Sequence, residues 1–195
     1  MWDERYRAEG YVYGTEPNGF LVSVVDRIPV GRLLSLAEGE GRNAVFLAEK
    51  GYDVTAVDAS GVGLAKGERL ARKRGVTITT VVADLAEFDM GSGRWDGIVS
   101  IFCHLPPEVR TGLHRRVVQG LRRGGVFVLE AYTPAQLLLK TGGPPSEEMM
   151  MSLALLREEL RGLSFLHAVE TEREVREGTQ HTGRGAVVQL VAVKP

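Results

Sequence analysis

Gly39-Glu40-Gly41-Arg42-Asn43-Ala44 is the stretch of this 195-residue sequence whose residue types and spacing most plainly suit chemistry. It fits the pattern G-x-G-x-x-G/A. An apolar run, Leu33-Leu34-Ser35-Leu36, leads into it, and a helix-forming run, Ala44-Val45-Phe46-Leu47-Ala48, leaves it. Glycine has no Cβ, so the backbone there can turn tightly and let a ligand come close. Asp58 lies 58 − 39 = 19 residues beyond the first glycine, close to the roughly 20 expected of an acid that accepts the hydroxyls of a ribose. On these residues alone a nicotinamide or flavin site fits as well as a methyl-donor site. A second acid, in Val82-Ala83-Asp84-Leu85, ends the next strand on the same sheet edge. An adenine amino group can donate to it, or it can serve as a helix N-cap.

The elements that must position these residues alternate. Residues 1–29 precede the first core strand. They carry Trp2, Tyr6, Tyr11, Tyr13 and Phe20, and read as a short helix, a loop over 9–16 and a second helix from Pro17 to about Arg27. Arg32–Leu36 reads as strand one, Asn43–Lys50 as a helix stopped by Gly51, and Asp53–Asp58 as strand two. Ser60 caps the next helix, which ends near Arg74-Gly75. Val76–Val82 is strand three and Asp96–Ile101 strand four. Pro106-Pro107 opens a helix with Val109, Leu113, Val117 and Leu121 on one face and Arg122 and Arg123 in its last turn. Val126–Tyr132 is strand five. Thr141–Pro145 is a loop, and Ser146 caps a helix presenting Met149, Leu153, Leu156 and Leu160. Two strand-like runs follow, Leu163–Arg176 and Ala186–Val193. The connection between them, 177–185, is too short for a crossover, so the pair is antiparallel.

The bulk properties exclude several classes. Hydrophobic residues make up 44% and charged residues 25%, a globular composition. The net charge of −1 gives no basic excess for a nucleic-acid backbone. Cys103 is the only cysteine, so an internal disulfide is impossible and a reducing, cytoplasmic setting is expected. The charged start, Met1-Trp2-Asp3-Glu4-Arg5, argues against a signal peptide. No apolar run approaches the roughly 20 residues of a membrane helix. No Cys/His cluster has zinc spacing, so no metal is expected.

Asp84 at the second strand tip, and a chain too short for a separate substrate domain, favour S-adenosylmethionine over a dinucleotide. At this point the sequence resembles class I S-adenosylmethionine-dependent methyltransferases, of the small subgroup akin to tellurite-resistance and thiopurine methyltransferases. Leu33–Gly41 resembles the cofactor loop, Val54–Asp58 the ribose acid, Val82–Leu85 the adenine contact, Trp95–Ile101 the fourth strand and Leu121–Glu130 the turn into strand five. Trp2-Asp3-Glu4-Arg5-Tyr6, with Tyr13-Gly14, resembles an aromatic N-terminal lid. The resemblance implies a doubly wound, Rossmann-like α/β sheet of seven strands with an antiparallel C-terminal hairpin strand. The expected organisation is one domain over 1–195: a helical lid over 1–29 and a cofactor-binding core over 30–195, with substrate-side insertions at 133–162. It also implies that Trp2, Tyr6, Tyr13, Ala37, Glu38, Gly39, Gly41, Asn43, Asp58, Ala59, Ala83, Asp84, Leu85 and Ser100 contact the cofactor. Two positions depart from the pattern. The family usually has an acid at Ser35 and a glycine at Ala37, and Glu38 or Glu40 could stand in for the acid.

Methyl transfer from a sulfonium is an in-line displacement, helped chiefly by alignment in a dry pocket. Candidates at the tips of strands four and five are His104, able to orient an acceptor or take its proton, and Tyr132. With no strong base in view, the expected acceptor is a small molecule nucleophilic unaided, such as a thiol or chalcogen oxyanion. The expected state is a monomer or homodimer. The alternatives are an NAD/FAD oxidoreductase and a non-catalytic cofactor-binding module.

Overall fold

The structure is a computed structural model, and it describes residues 2–144, 146–178 and 181–195. Its centre is a seven-stranded sheet in the order β3-β2-β1-β4-β5-β7-β6. The elements run α1 (Trp2–Tyr6), α2 (Gly19–Val24), β1 (Arg32–Leu36), α3 (Arg42–Glu49), β2 (Asp53–Asp58), α4 (Gly61–Arg74), β3 (Thr79–Val82), β4 (Trp95–Ile101), α5 (Pro107–Gly120), β5 (Leu121–Tyr132), α6 (Gln136–Leu139), α7 (Leu153–Glu159), β6 (Ser164–Glu177) and β7 (His181–Val193). β1 through β5 run parallel to one another, and β7 is antiparallel to both β5 and β6. The doubly wound sheet with its antiparallel hairpin is the architecture expected.

Side-chain alternation builds the two layers. Leu33, Val54 and Val128 point to one face, under Leu21, Leu47 and Leu64 of α2, α3 and α4. Leu34, Ile98 and Phe127 point to the other, under Leu113, Val117 and Leu156 of α5 and α7. Every residue of β4 is buried, as suits a parallel strand covered on both faces. The strand order reverses between β1 and β4. In open α/β sheets that reversal opens a crevice at the carboxyl ends of the strands.

The differences from expectation are local. β3 starts at Thr79 rather than Val76, because the Val76 N–H bonds back to Ala71 O and closes α4. The α5 helix stops at Gly120, so Arg122 and Arg123 belong to β5 and not to a helical last turn. Leu121 is fully buried and extended beside Trp95, and Arg122 pairs with Asp96. Ser146 caps no long helix. A 3₁₀ turn (Glu147–Met149) is followed by extended, buried Met150 and Met151, and Ser152 caps α7 by accepting Leu155 N–H at 3.2 Å. Burying those methionines while Met151 N–H bonds Tyr132 O ends the helical path there. The second N-terminal helix starts at Gly19 after its cap, Asn18, and finishes as a 3₁₀ turn. β7 begins at His181, five residues before Ala186, and its ladder reaches Glu177. Thr179 and Gln180, in the expected connection, and Pro145, in the expected loop, lie outside the described residues.

Candidate active site

The loop after β1 is held by two carboxylates. Glu38, a buried residue, accepts the main-chain N–H groups of Asn43 (3.0 Å) and Ala44 (2.9 Å) through Oε1, so it caps α3. The Ser35 hydroxyl donates to its Oε2. Burial pushes the Glu38 carboxyl above the usual range, against those bonds. Asp58, at the tip of β2, accepts Gly39 N–H at 2.8 Å through Oδ2 and Ser60 N–H at 2.8 Å through Oδ1. Burial raises it too, and the Ser60 and Gly39 bonds oppose the rise. The loop can take this path because Gly39 and Gly41 have φ of +63° and +91°. A Cβ on Gly41 would overlap Gly67 Cα in α4. Ala37, where the resemblance has glycine, sits at φ +49°, in the left-handed region that strains any residue with a Cβ.

These strand tips border a cavity of about 390 Å³. Its polar wall carries Ala37, Glu38, Asn43, Asp58, Ala59 and Asp84, and Leu85 adjoins them. Asp84 is exposed and accepts Ala86 N–H at 2.8 Å; it opens a turn rather than capping a helix. The roof is aromatic. Trp2 stacks on Tyr6 with centroids 5.8 Å apart, Tyr6 meets Tyr13 edge-on at 6.3 Å, and all three line the cavity. Arg5 reaches across the roof, donating to Tyr13 Oη at 2.9 Å. The α1 helix is seated on α4, with Ser60 Oγ bonding Asp3 Oδ1 at 2.5 Å. The far wall is Ile101, Phe102, Cys103, His104, Leu105 and Met149.

A crevice at the topological switch, with acids at two neighbouring strand tips, is matched by homology. Residues 33–125 fit the family model described as a methyltransferase domain. Over that stretch the chain is similar to a methyltransferase domain, in line with the family that its sequence resembles. It is 26% identical over 133 residues to the 2-heptyl-1-hydroxyquinolin-4(1H)-one methyltransferase of Mycobacteroides abscessus, across 66% of this chain and 59% of that one. It is 33% identical over 134 residues to the glycine/sarcosine N-methyltransferase of Halorhodospira halochloris, across 66% of this chain and 47% of that one. The chain thus spans only about half the length of these curated relatives. Its fold is similar to that of TehB from Haemophilus influenzae, with a TM-score of 0.74 at 21% identity over 100% of this chain and 66% of TehB. It is also similar to a protein solved in connection with conversion of a disulfide bond into a thioacetal group during echinomycin biosynthesis. There the TM-score is 0.80 at 18% identity, covering 99% of this chain and 90% of that one.

Not every residue expected at the site reaches the cavity wall. Gly39 and Gly41 shape the loop from behind, and the Ala83 N–H bonds Asp58 O at 3.0 Å. Ser100 is buried in β4 beside Leu36. Tyr132 is buried under Phe102 and His104, with ring centroids 4.7 and 5.6 Å away, and burial drives its hydroxyl upward in pKa. His104 does line the wall, but both ring nitrogens are turned into the main chain. Its Nδ1 lies 3.1 Å from Phe102 O, and its Nε2 accepts Tyr132 N–H at 3.0 Å. That pairing requires the proton on Nδ1 and a neutral ring. Arg5, Arg42, Leu105 and Met149 also line the cavity and were not singled out as site residues from sequence. No periodicity marks them, since each arrives from a separate element.

Behind the far wall lies a buried polar cluster. Glu130, at 0% exposure, accepts Asn18 Nδ2–H at 2.6 Å, Gln189 Nε2–H at 2.7 Å and Arg173 Nε–H at 2.8 Å. Glu177 pairs with Arg42 and Arg173 and accepts Asn18 Nδ2–H at 2.8 Å. Burial opposes the charge on Glu177, but the two arginines outweigh it and hold its carboxyl below the usual range. Each carboxylate is compensated by a guanidinium, which is what makes such burial tolerable.

Proposed function

We propose that this chain transfers a methyl group from S-adenosylmethionine to a small acceptor that is nucleophilic without help from a base, with a thiol or chalcogen oxyanion as the class and a thiol the better fit. The observation that carries the reading is one cavity with carboxylates on one wall and an apolar, base-free surface on the other. When bound, the donor supplies an electrophilic methyl on a sulfonium. The chain's own groups suit it. Each Asp58 oxygen has accepted one main-chain N–H and keeps lone-pair capacity for a ribose hydroxyl. Asp84 has an oxygen left for an adenine amino group. Glu38, bonded to Ser35, brings an acid to the side of the residue where the family usually carries one, and its Oε2 can accept an ammonium. Glu40 also borders the cavity, but its carboxylate already holds Val12 N–H, Tyr13 N–H and the Lys66 ammonium, so Glu38 is the better placed of the two. The faces of Trp2, Tyr6 and Tyr13 suit a cation, since ring quadrupoles attract positive charge.

On the acceptor side the residues orient and exclude water. Burial pushes the Cys103 thiol up to about 12, so it stays protonated and inert. The His104 lone pair is occupied by Tyr132 N–H, so His104 positions the β5 tip rather than taking a proton. Apolar Phe102, Leu105 and Met149 favour a thiol over a hydrated oxyanion. One domain with residues 1–29 as its lid, a cytoplasmic setting, and a monomer or homodimer without nucleic-acid or membrane partners complete the reading.

The test has two stages. Calorimetry should show S-adenosylhomocysteine binding, and the absence of binding overturns the reading. Labelled donor should then methylate thiols or tellurite in a panel that also holds amines, glycine and a hydroxyquinolone. Methylation confined to amines or phenols would overturn the acceptor class. Donor binding with no transfer to any of them would favour the non-catalytic alternative.

A further inference from the structure

Glu40 stands between the two glycines of the cofactor loop, and its carboxylate is spent on the N-terminal segment. Oε2 accepts the main-chain N–H of Val12 at 2.7 Å and of Tyr13 at 3.3 Å. Oε1 pairs with Lys66 Nζ of α4 at 2.8 Å. Lys66 also donates to Ala8 O at 2.8 Å and Gly10 O at 2.7 Å. All three N–H donors of its ammonium are therefore committed. Tyr11 Oη donates to the main-chain oxygen of Lys66 at 3.2 Å. Both charged side chains are buried. Residues 8–13 contain no helix or strand, and this pair takes up two of their carbonyls and two of their amides. The contact between loop and α4 is backbone on backbone: a Cβ on Gly67 would lie 3.0 Å from Gly41 Cα. That approach brings Lys66 within reach of Glu40.

We infer that Glu40 and Lys66 are positioning residues that latch segment 8–13 to the cofactor loop and so hold the aromatic roof over the cavity. The inference rests on the proposed donor site for what the roof encloses. Carbonyls 8 and 10 are held by the cation and amides 12 and 13 by the anion, so the pair grips the strap at both ends. The roof then follows. Tyr13 is held at its main chain, Tyr13 Oη receives Arg5, and Tyr6 packs edge-on against Tyr13. A ligand beneath Tyr6 and Tyr13 leaves only when the strap lifts from the loop. Loss of the latch therefore speeds release more than it slows entry.

The test compares wild type, Lys66→Met, Lys66→Arg and Glu40→Gln as full chains. Amide hydrogen exchange in the unliganded protein reads the strap, and stopped-flow release of S-adenosylhomocysteine reads the roof. In Lys66→Met, exchange over 8–14 should be about tenfold faster or more while β1, β4 and α5 are unchanged. Release should accelerate about tenfold, with association within about threefold of wild type. Lys66→Arg, which keeps the charge, should recover most of the protection. If Lys66→Met does not fold, Glu40→Gln is read instead. It keeps one oxygen for Val12 N–H and should show the same pattern at smaller size. Wild-type exchange over 8–14 in both variants overturns the latch, and so does acceleration spread evenly over the sheet. If wild type binds no S-adenosylhomocysteine, the donor reading falls and the exchange data alone judge the latch.

Discussion

The two walls of the cavity are built on opposite principles. At the tips of β1 and β2 the two carboxylates are fixed by main-chain groups: Glu38 by Asn43 and Ala44, Asp58 by Gly39 and Ser60. At the tips of β4 and β5 the surface is Phe102, Leu105 and Met149, and the one imidazole there turns its nitrogens away into the backbone. Directional bonds select one ligand in one pose, whereas an apolar wall excludes water without dictating orientation. Such a division suits a single donor held in a fixed pose beside an acceptor chosen mainly by shape.

The contrast can be broken from either side. The largest effect expected is structural and confined to the far side, where Glu159 ties α7 to α5. It accepts from Arg110 Nη2–H at 3.1 Å and lies 2.7 Å from His114 Nδ1. Glu159→Gln should cost about 3 kcal/mol in urea unfolding while leaving S-adenosylhomocysteine affinity unchanged. Burial raises the Glu159 carboxyl, but its bonds to His114 and Arg110 outweigh burial and bring it down to about 2 from 4.5. A lowered acid stabilises the fold above its unfolded pKa. Wild type should therefore lose this contribution as pH falls from about 4.5 toward about 2, and the variant should show a flatter acid limb.

On the polar wall, Asp58→Ala should weaken S-adenosylhomocysteine binding by roughly 1.5–3 kcal/mol, read by calorimetry; an unchanged constant removes the ribose assignment. His104→Gln sharpens the contrast by a small effect. Loss of a general base costs roughly 10²–10⁴-fold in rate, whereas loss of a positioning ring should cost less than about tenfold and leave the pH profile of methyl transfer unshifted. Smallest of all, Ala37→Gly should relieve the left-handed backbone and raise stability by at most about 1 kcal/mol, part of the relief being offset by unfolded-state entropy.

Legibility followed sequence distance. The loop Leu33–Gly41, Asp58 and the strand tip at Asp84 could be read because strand, turn, helix and acid follow one another within one βαβ unit, with periodicity and glycine marking each piece. The helix that the sequence predicts from Ser146 forms only from Leu153, because Met150 and Met151, as helix-compatible as their neighbours, are buried against the β5 tip in extended backbone. His104 illustrates a subtler limit. Its place after β4 was readable, but the fate of its nitrogens was not, because Tyr132 N–H comes from another strand. The Glu40–Lys66 pair joins positions 26 apart and a strap without regular structure, and no spacing rule anticipates it.

By itself the amino-acid order determined the alternating fold and the acids at two strand tips, since these depend on local hydrophobic period, glycine freedom and short connections. Only the tertiary structure decided what each charge is for. Glu38 caps a helix and Glu40 grips the strap although they are two residues apart with the same side chain. The reason is that a buried carboxylate must find its donors in space, and the packing of α4 and the N-terminal segment on the loop determines which donors come within reach.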